Sequence, residues 1–318
     1  RMLRDSSGKL VGIVEQKDAS AAQLKIREIN TVFVAAPPVR LRSWLGQLDN
    51  DNAQGEYYLT DIVACAAAEG VAVETANAAD PIEILGVNDR AQLSVLERVY
   101  QRNQAQRLMR NGATVADPAR LDVRGDLQTG SDCELDVNVV FEGDVRLGDR
   151  VRVGPNCVIR NATISDDVEI LANCVIEECA IGSGSRIGPF ARIRPESELA
   201  EQVHIGNFVE IKKSRIAAGS KINHLSYIGD TRMGSGVNVG AGTIVCNYDG
   251  ANKHLTEIGN DVFIGSDTQL VAPVKVGDGA TIGAGSTITR EVPPGELTLS
   301  RCPQQTRPGW KRPLKKNR

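Results

Sequence analysis

Residues 187–211 read IGPFARIRPESELAEQVHIGNFVEI, with an aliphatic side chain at every sixth position: Ile187, Ile193, Leu199, Ile205 and Ile211. A period of six matches neither the 3.6-residue turn of an α-helix nor the simple alternation of a half-buried strand. A small or β-branched residue stands two positions before most of these aliphatic anchors, which is the pleat spacing that turns both side chains to one side. The stretch therefore predicts short strands that each point a pair of side chains inward.

The same period continues, with an interruption after Val245, from Val123 to Ile288. Sustained short repeats predict a parallel β-helix, a solenoid whose coils bury their inner faces against their neighbours. With three hexads in each coil, residues 17 or 18 apart should stack at the strand spacing of about 4.8 Å. Glycine often follows an anchor, and we expect it there because a sharp corner favours a residue without a Cβ. The other anchors are Thr129, Leu135, Phe141, Leu147, Val153, Ile159, Ile181, Ile216, Ile222, Ile228, Met233, Val239, Ile258, Ile264, Leu270, Val276 and Ile282.

Composition narrows the class of protein. The 318 residues leave room for about two domains, and a net charge of -3 gives no electrostatic reason to expect nucleic-acid or membrane binding. An aromatic content of 4% suits a thin core of Val and Ile. No apolar run approaches the roughly 20 residues of a membrane span, and the first ten residues lack the pattern of a signal peptide. A cytoplasmic protein is expected.

Four of the seven cysteines share one position in the repeat, two residues before an inward anchor. Val, Ala, Ser or Thr occupies this position elsewhere, so we expect these thiols to be small buried side chains rather than metal ligands. Cys246, in the interruption, is the candidate for a reactive thiol. The four cysteines are Cys133, Cys157, Cys174 and Cys179.

Four regions follow from these patterns. Residues 1–89 alternate strand signals (Leu10–Val14 and Thr31–Ala35) with a helix signal at Asp61–Gly70, which predicts an α/β domain. Residues 90–112 predict a linker helix with Asn88 as its cap and a partial apolar stripe. Residues 113–290 form the β-helix, with a loop between Val245 and Glu257, and residues 291–318 are a tail rich in Pro and basic residues.

Stacking predicts a pair of cations on adjacent coils. Arg194 and Lys212 each follow an anchor by one position and lie three hexads apart. Two stacked cations repel unless an anion lies between them, and a phosphate would suit. A solvated surface pair explains the pattern equally well.

A second column of residues, two positions after the anchors, predicts a groove. It contains Asn207, His224, Ala241, Ser266 and Ala284 on successive coils. Small side chains leave space for a thin extended ligand, and an imidazole at its end could act as a base. The alternatives are a structural histidine, or a zinc site built with the other two histidines, His204 and His254. Those two fall in different columns, which disfavours zinc.

Five segments resemble a known family: IGPFARIRP (187–195), IGNFVEIKKS (205–214), HLSYIGD (224–230), GAGTIVCNYDGANKH (240–254) and GSDTQLVAPV (265–274). They are similar to the bacterial bifunctional N-acetylglucosamine-1-phosphate uridyltransferase / glucosamine-1-phosphate N-acetyltransferases. VEQKDA (14–19), EINT (28–31), NAQGEYYLTD (52–61) and GVNDR (86–90) extend the resemblance to the first domain. It implies a left-handed parallel β-helix preceded by part of an α/β nucleotidyltransferase-like (Rossmann-like) domain, whereas the usual crossover preference would give a right-handed coil.

The resemblance implies acetyl transfer from acetyl-CoA to the amine of glucosamine-1-phosphate, for UDP-N-acetylglucosamine and cell-wall precursor synthesis. His224 would be the general base. Homotrimers would form, with sites completed between subunits and by the C-terminal tail. The amino-sugar phosphate site would contain Arg194, Lys212, Tyr227, Asn238 and Lys253. The acetyl-CoA site would contain Ala241, Asn247, Tyr248, Ser266, Ala284 and Arg301.

In the first domain, the resemblance assigns Glu15, Asn30 and Asn88 to a UDP-sugar site, with Asn88 also binding Mg²⁺. The family's Gly-rich loop, its catalytic Arg and Lys and the Asp that shares the metal match no part of this sequence, and Val32 replaces the glycine expected after EINT. We therefore expect no uridyl transfer from this polypeptide, unless a longer native chain supplies those parts. A non-catalytic trimerisation scaffold or sugar-nucleotide-binding fragment is the alternative function.

Overall fold

The computed structural model describes residues 1–31 and 33–312. Val32 and residues 313–318 of the predicted tail lie outside the described residues. The chain divides into two compact units, Arg1–Leu96 and Glu97–Arg318. The boundary between these units falls inside the predicted linker helix.

The first unit combines strands and helices around a small core that includes Trp44. Within its described residues, the strands Met2–Arg4 and Leu10–Ile13 pair antiparallel, and the helices Pro38–Leu45 and Ile62–Ala68 precede the linker helix. The strand signal at Leu10 and the helix signal after Asp61 are therefore confirmed. The strand signal at Thr31–Ala35 is wrong for residues 31 and 33–35, which form no strand. An apolar β-branched run forms a strand only where a neighbouring strand pairs with it.

The linker helix runs from Arg90 to Arg110, which lies within the predicted range 90–112. Asp89 caps it, because its Oδ1 accepts a hydrogen bond from the Gln92 backbone N–H at 2.8 Å. The side chain of Gln92 in turn accepts a hydrogen bond from the Asn88 backbone N–H at 2.7 Å. The prediction of Asn88 as the cap is wrong. The side chains of Asp89 and Gln92 instead accept hydrogen bonds from two backbone N–H groups at the start of the helix.

The buried face of this helix also differs from the predicted apolar stripe. Gln101, Ala105 and Leu108 are buried, whereas Leu93 and Tyr100 are about half exposed. Gln101 is buried because its amide group pairs with both backbone groups of Val123, at 2.6 Å and 3.0 Å, as a neighbouring strand would. The apolar pattern did not predict Gln101 on the buried face of the helix. Its two hydrogen bonds offset the free-energy cost of burying a polar side chain.

The second unit is a β-helix with three ladders of parallel strands. Two long strands, Leu121–Thr129 and Val139–Leu147, each extend along the second and third faces. The first face contains Thr114–Val115, Glu134–Leu135, Arg152–Val153, Glu169–Ile170, Arg186–Ile187, His204–Asn207, Lys221–His224, Asn238–Val239, Phe263–Ile264, Thr281–Ile282 and Leu297–Thr298. The second face contains Val158–Arg160, Val175–Glu177, Arg192–Ile193, Glu210–Lys212, Tyr227–Gly229, Ile244–Cys246, Gln269–Val271 and Thr287–Ile288. The third face contains Thr163–Ile164, Cys179–Ile181, Ser197–Leu199, Arg215–Ile216, Thr231–Met233, Thr256–Ile258 and Val274–Val276.

The register follows the predicted repeat. Ile193 pairs with Ile211 on the next coil, and Ile211 pairs with Ile228 on the coil after that. All three side chains are fully buried, so these anchors of the second face form a continuous aliphatic column. The left-handed parallel β-helix of hexapeptide repeats predicted for this region is confirmed.

The four cysteines of the repeat are buried in the same core, as predicted. Burial raises the pKa of the Cys179 thiol to about 12, so this thiol stays protonated at neutral pH. Cys246 is only partly buried. The four core cysteines therefore act as small buried side chains that pack inside the β-helix.

The glycines that follow the anchors have a different cause from the one predicted. A Cβ on Gly206 would lie 2.0 Å from the backbone oxygen of Asn223, so close approach of the next coil demands glycine there. The left-handed corner positions instead hold asparagine and aspartate in many coils, with Asn156 at φ 60° as an example. Asn and Asp tolerate this region better than other side chains do.

The interruption after Val245 forms a hairpin in which Tyr248 and Lys253 form an antiparallel bridge. The β-helix continues beyond residue 290, because Leu297–Thr298 pairs with Thr281–Ile282. Among the described residues, no helix combines the length and the apolar character needed to cross a membrane.

Candidate active site

The predicted groove column is present on the first face. Asn207 pairs directly with His224, and the same register places Ala241, Ser266 and Ala284 on the next three coils. The intervening 242–263 segment contains the hairpin, which loops out without shifting this ladder. These three short side chains are at least partly exposed, so they leave an open strip along the first face that ends at His224, and we call this strip the groove.

Asn207 orients the imidazole of His224. Its Oδ1 lies 2.9 Å from Nδ1 of His224. An amide oxygen only accepts hydrogen bonds, so this contact places the proton of a neutral ring on Nδ1. Nε2 is then left with its lone pair, which is the arrangement that a general base requires.

Arg301 lies at the opposite end of the groove. Its Nη1 donates a hydrogen bond of 2.6 Å to the backbone oxygen of Ala284. This contact brings a positive charge from the last part of the described chain to the groove. The column therefore has the imidazole of His224 at one end and the guanidinium group of Arg301 at the other.

The second face contains the predicted cation pair. Arg194 and Lys212 follow the paired anchors Ile193 and Ile211 and occupy equivalent positions on adjacent coils. Glu210 lies 2.8 Å from Arg194 and accepts its hydrogen bond. This acceptor, which sequence analysis did not single out, fixes the direction of the guanidinium group.

Lys253 approaches Lys212 from the hairpin. A side-chain contact with Lys253, followed by partial burial, lowers the pKa of Lys212 below its ordinary value. The nearest balancing charge is Asp230, whose Oδ2 lies 3.9 Å from Lys212 Nζ. Two ammonium groups held together in this way form a site suited to an anion with more than one negative charge.

Asn247 connects the start of the hairpin to this cluster. Its Nδ2 donates to Asp230 Oδ2 at 2.5 Å and lies 3.5 Å from the hydroxyl oxygen of Tyr227. Gly229 makes room for these groups, because a Cβ there would lie 2.4 Å from the Tyr227 hydroxyl oxygen and 2.8 Å from Asn247 Nδ2. Tyr248 follows Asn247 but is largely exposed.

A corner of the β-helix separates His224 from the cation cluster. Phe190, Phe208 and Leu225 occupy this corner on three successive coils, with φ values of 55°, 56° and 48°. The rings of Phe190 and Phe208 stack with their centroids 5.3 Å apart, and all three side chains are about half exposed. We call these three residues the apolar ridge. Exposed aromatic side chains in left-handed backbone are costly, by about 1–2 kcal/mol per residue for the backbone alone.

The ridge divides the predicted site residues into two groups. His224, Ala241, Ser266, Ala284 and Arg301 belong to the first-face side. Asn238 also lies there, between Lys221 and Phe263 in the ladder, and not beside Arg194 and Lys212 with which it was grouped. On the second-face side are Arg194, Lys212, Tyr227, Asn247, Tyr248 and Lys253.

In the first unit, Glu15 and Asn30 line a common hollow of about 420 Å³ with Tyr57 and Tyr58. Glu15 accepts a hydrogen bond from the Thr60 hydroxyl at 3.1 Å. Asn88 lies elsewhere, just before the linker helix.

The side chains that could bind a metal are dispersed over the described residues. Across residues 1–31 and 33–312, no cluster of three or more His, Cys, Asp and Glu side chains has a metal-binding arrangement. His224 contacts Asn207 and His254 contacts Asp249, while His204 pairs in the ladder with Arg186 and Lys221. One amide side chain at Asn88 does not form a magnesium site by itself.

Asn207, Glu210 and Asp230 are the site residues that sequence analysis did not assign. Asn207 had been placed in the correct column, and register alone brings it to His224. Glu210 precedes an anchor and points outward beside Tyr227. Asp230 occupies a left-handed corner, and no spacing rule predicts which corner side chain turns towards a site.

Two family models match the β-helix. The model described as the GMPPB C-terminal domain matches residues 123–218, and the model for bacterial transferase hexapeptide repeats matches residues 255–290. Both matches fall in the region where the six-residue period was found.

Curated relatives match nearly the whole chain. The chain is 60% identical to a bifunctional protein GlmU from Methylococcus capsulatus, covering 99% of this chain and 68% of that protein. It is 58% identical to the Ralstonia pickettii protein of the same name, over 100% of this chain and 70% of that protein. It is 61% identical to the Acidithiobacillus ferrooxidans protein of that name, over 98% of this chain and 69% of that protein. The chain therefore corresponds to about two thirds of each relative.

Proposed function

The chain belongs to the family of bifunctional GlmU proteins, and from this premise we propose that it transfers acetyl from acetyl-CoA to the amine of glucosamine-1-phosphate. The observation that carries the proposal is the ladder of Asn207, His224, Ala241, Ser266 and Ala284. It supplies an oriented base at the end of a column of small side chains, which is what acyl transfer to an amine needs.

His224 is the general base of the proposed reaction. The neutral amine attacks the thioester carbonyl carbon, a C–N bond forms, and the C–S bond breaks. Nε2 of His224 takes the proton that the amine loses and returns it to the departing sulfur, which leaves as the thiol of coenzyme A. Asn207 holds the ring so that Nε2 keeps its lone pair for this step.

The cations of the second face bind the sugar phosphate. Arg194, Lys212 and Lys253 place three positive charges in one cluster, and Glu210 holds the guanidinium group in position. A phosphate dianion relieves the repulsion between the two lysines as it binds. Tyr227 and Asn247 supply polar groups beside it, and Asn238 contacts the amino sugar from the first face.

Acetyl-CoA lies along the small-residue groove. Ala241, Ser266 and Ala284 leave space for the thin pantetheine arm, and Arg301 at the far end provides a cation for the phosphates of the coenzyme. Asn247 and Tyr248 contribute from the hairpin. Much of the rate then comes from holding amine and thioester together in the reacting geometry.

We propose that the protein works as a homotrimer with sites between subunits. The division of the site residues over two faces supports this arrangement, since the first face of one copy meets the second face of the next around a threefold axis. The apolar ridge between these faces would then lie near the axis and be covered by its counterparts. Burial of two phenylalanines and a leucine in each copy would offset the cost of their exposed left-handed backbone.

Release of free thiol from acetyl-CoA tests the proposed function. The expected result is turnover with glucosamine-1-phosphate and a much higher KM with glucosamine, which lacks the phosphate. No thiol release with either sugar would contradict the proposal and favour a non-catalytic scaffold. Equal KM values for the two sugars would contradict the role of the cation cluster.

A further inference from the structure

The hairpin between the second and third faces carries three of the proposed binding residues. Asn247, Tyr248 and Lys253 all lie in it, and the Tyr248–Lys253 bridge forms its two arms. The His254 backbone N–H closes it by donating to the Asn247 oxygen at 2.8 Å. The position of Lys253 therefore depends on how firmly this hairpin is held.

Asp249 organises the tip of the hairpin. Its Oδ1 accepts hydrogen bonds from the backbone N–H groups of Asn252, at 2.6 Å, and Ala251, at 2.8 Å. Its Oδ2 lies 2.7 Å from Nε2 of His254. The Asn252 N–H first, and then His254, hold the pKa of this carboxyl well below its usual range. A single carboxylate thus connects the turn to the residue after Lys253.

The contact between Lys212 and Lys253 works against this arrangement. The lowered pKa of Lys212 reflects the unfavourable approach of the Lys253 ammonium group. The hairpin must hold Lys253 in place before any phosphate arrives, and its internal contacts are what resist the repulsion. His254 is the residue next to Lys253 in the chain, and its side chain contacts Asp249.

We infer that His254 is a positioning residue, which acts through Asp249 to hold Lys253 over the phosphate-binding cluster. This role rests on the proposed function, because the phosphate of the amino sugar is the group that Lys253 meets. This role requires no contact between His254 and either substrate. Loss of His254 should therefore weaken the binding of the phosphorylated sugar and leave the chemical step unchanged.

Steady-state kinetics of His254→Ala test this inference. We expect the KM for glucosamine-1-phosphate to rise about 3- to 10-fold, as for the loss of one partly exposed hydrogen bond of ordinary strength, with kcat within about 2-fold of wild type. His254→Gln keeps an N–H donor and should recover most of the affinity. His204→Ala removes a histidine from another coil and should change neither constant.

A double-mutant cycle identifies the partner. If His254 acts through Asp249, the KM of Asp249→Asn/His254→Ala for glucosamine-1-phosphate should be no higher than the higher of the two single-variant KM values. Additive effects would overturn the proposed route. An unchanged KM in His254→Ala, or a fall in kcat alone, would overturn the inference itself.

Hydrogen exchange of the unliganded full chain separates this inference from the proposed function. Amides of residues 250–255 should exchange faster in His254→Ala than in wild type, whether or not the protein turns over. An inactive wild-type protein whose hairpin loosens in the variant would contradict the acetyl-transfer proposal alone. An active wild-type protein with an unchanged hairpin in the variant would contradict the positioning role alone.

Discussion

Oδ1 of Asn207 lies 2.9 Å from Nδ1 of His224, one coil away in the same ladder. The fold brings these two residues together through register alone, since 17 positions separate them in the chain. The contact fixes which nitrogen of the imidazole is free. It connects the repeat, a feature of the fold, to the proton transfer that the proposed chemistry needs.

Replacement of Asn207 by alanine should slow the chemical step. The imidazole would lose the acceptor that holds its proton on Nδ1, and part of the population would present the wrong nitrogen to the amine. We expect kcat to fall about 10-fold with little change in either KM, since one neutral hydrogen bond is lost. Steady-state kinetics check this, and an unchanged kcat would mean that the ring needs no such support.

Replacement of Lys253 by methionine should raise the pKa of Lys212. Removal of a neighbouring positive charge favours the protonated form, so the midpoint of the Lys212 titration should move upwards, towards its ordinary value. NMR titration of the lysine side chains measures this. Lys275→Met is the matched control, because Lys275 pairs with Glu257 on the third face. A Lys212 pKa that does not move would show that the two ammonium groups are not in contact.

Two inactive variants should restore activity when they are mixed. His224→Ala keeps an intact cation cluster, and Arg194→Ala/Lys212→Met keeps an intact base. If each site joins the first face of one copy to the second face of another, random 1:1 trimers should have about a quarter of the wild-type sites. Co-expression followed by the thiol-release assay measures this. Mixed protein with no more activity than the separate variants would place each site within one chain.

Alanine at Gly229 should damage the site without unfolding the coil. The new methyl group would meet the ends of the Tyr227 and Asn247 side chains, which can move aside at the expense of the binding geometry. We expect a raised KM for glucosamine-1-phosphate and little change in thermal stability.

Gly206→Ala is the contrasting variant. Its Cβ would meet the backbone of Asn223, which cannot move without breaking the ladder. We expect it to lower the melting temperature. Equal loss of stability in both variants would contradict the distinction between the two glycines.

The sequence predicted those features that depend on register. The stacking of Arg194 on Lys212 and of Asn207 on His224 follows from a count of hexads, because strands in a parallel β-helix repeat at a fixed spacing. The anchors and core cysteines were predicted for the same reason.

Features that depend on side-chain direction were not predicted. Glu210 and Asp230 reach the cluster from an outward strand position and from a corner, and neither place has a spacing signature. Gln101 is buried because of two hydrogen bonds to Val123 that no apolar pattern reveals. Glycine after an anchor was expected, but its cause is close contact with the backbone of the next coil, and the repeat pattern does not reveal that contact.

The acetyl-transfer rate of His224→Ala tests the central claim most directly. General-base catalysis contributes about 10²- to 10⁴-fold, so kcat should fall by that factor while the KM values and the melting temperature remain near those of wild type. A folded variant whose kcat stays within about 2-fold of wild type would contradict the assignment of His224 as the base.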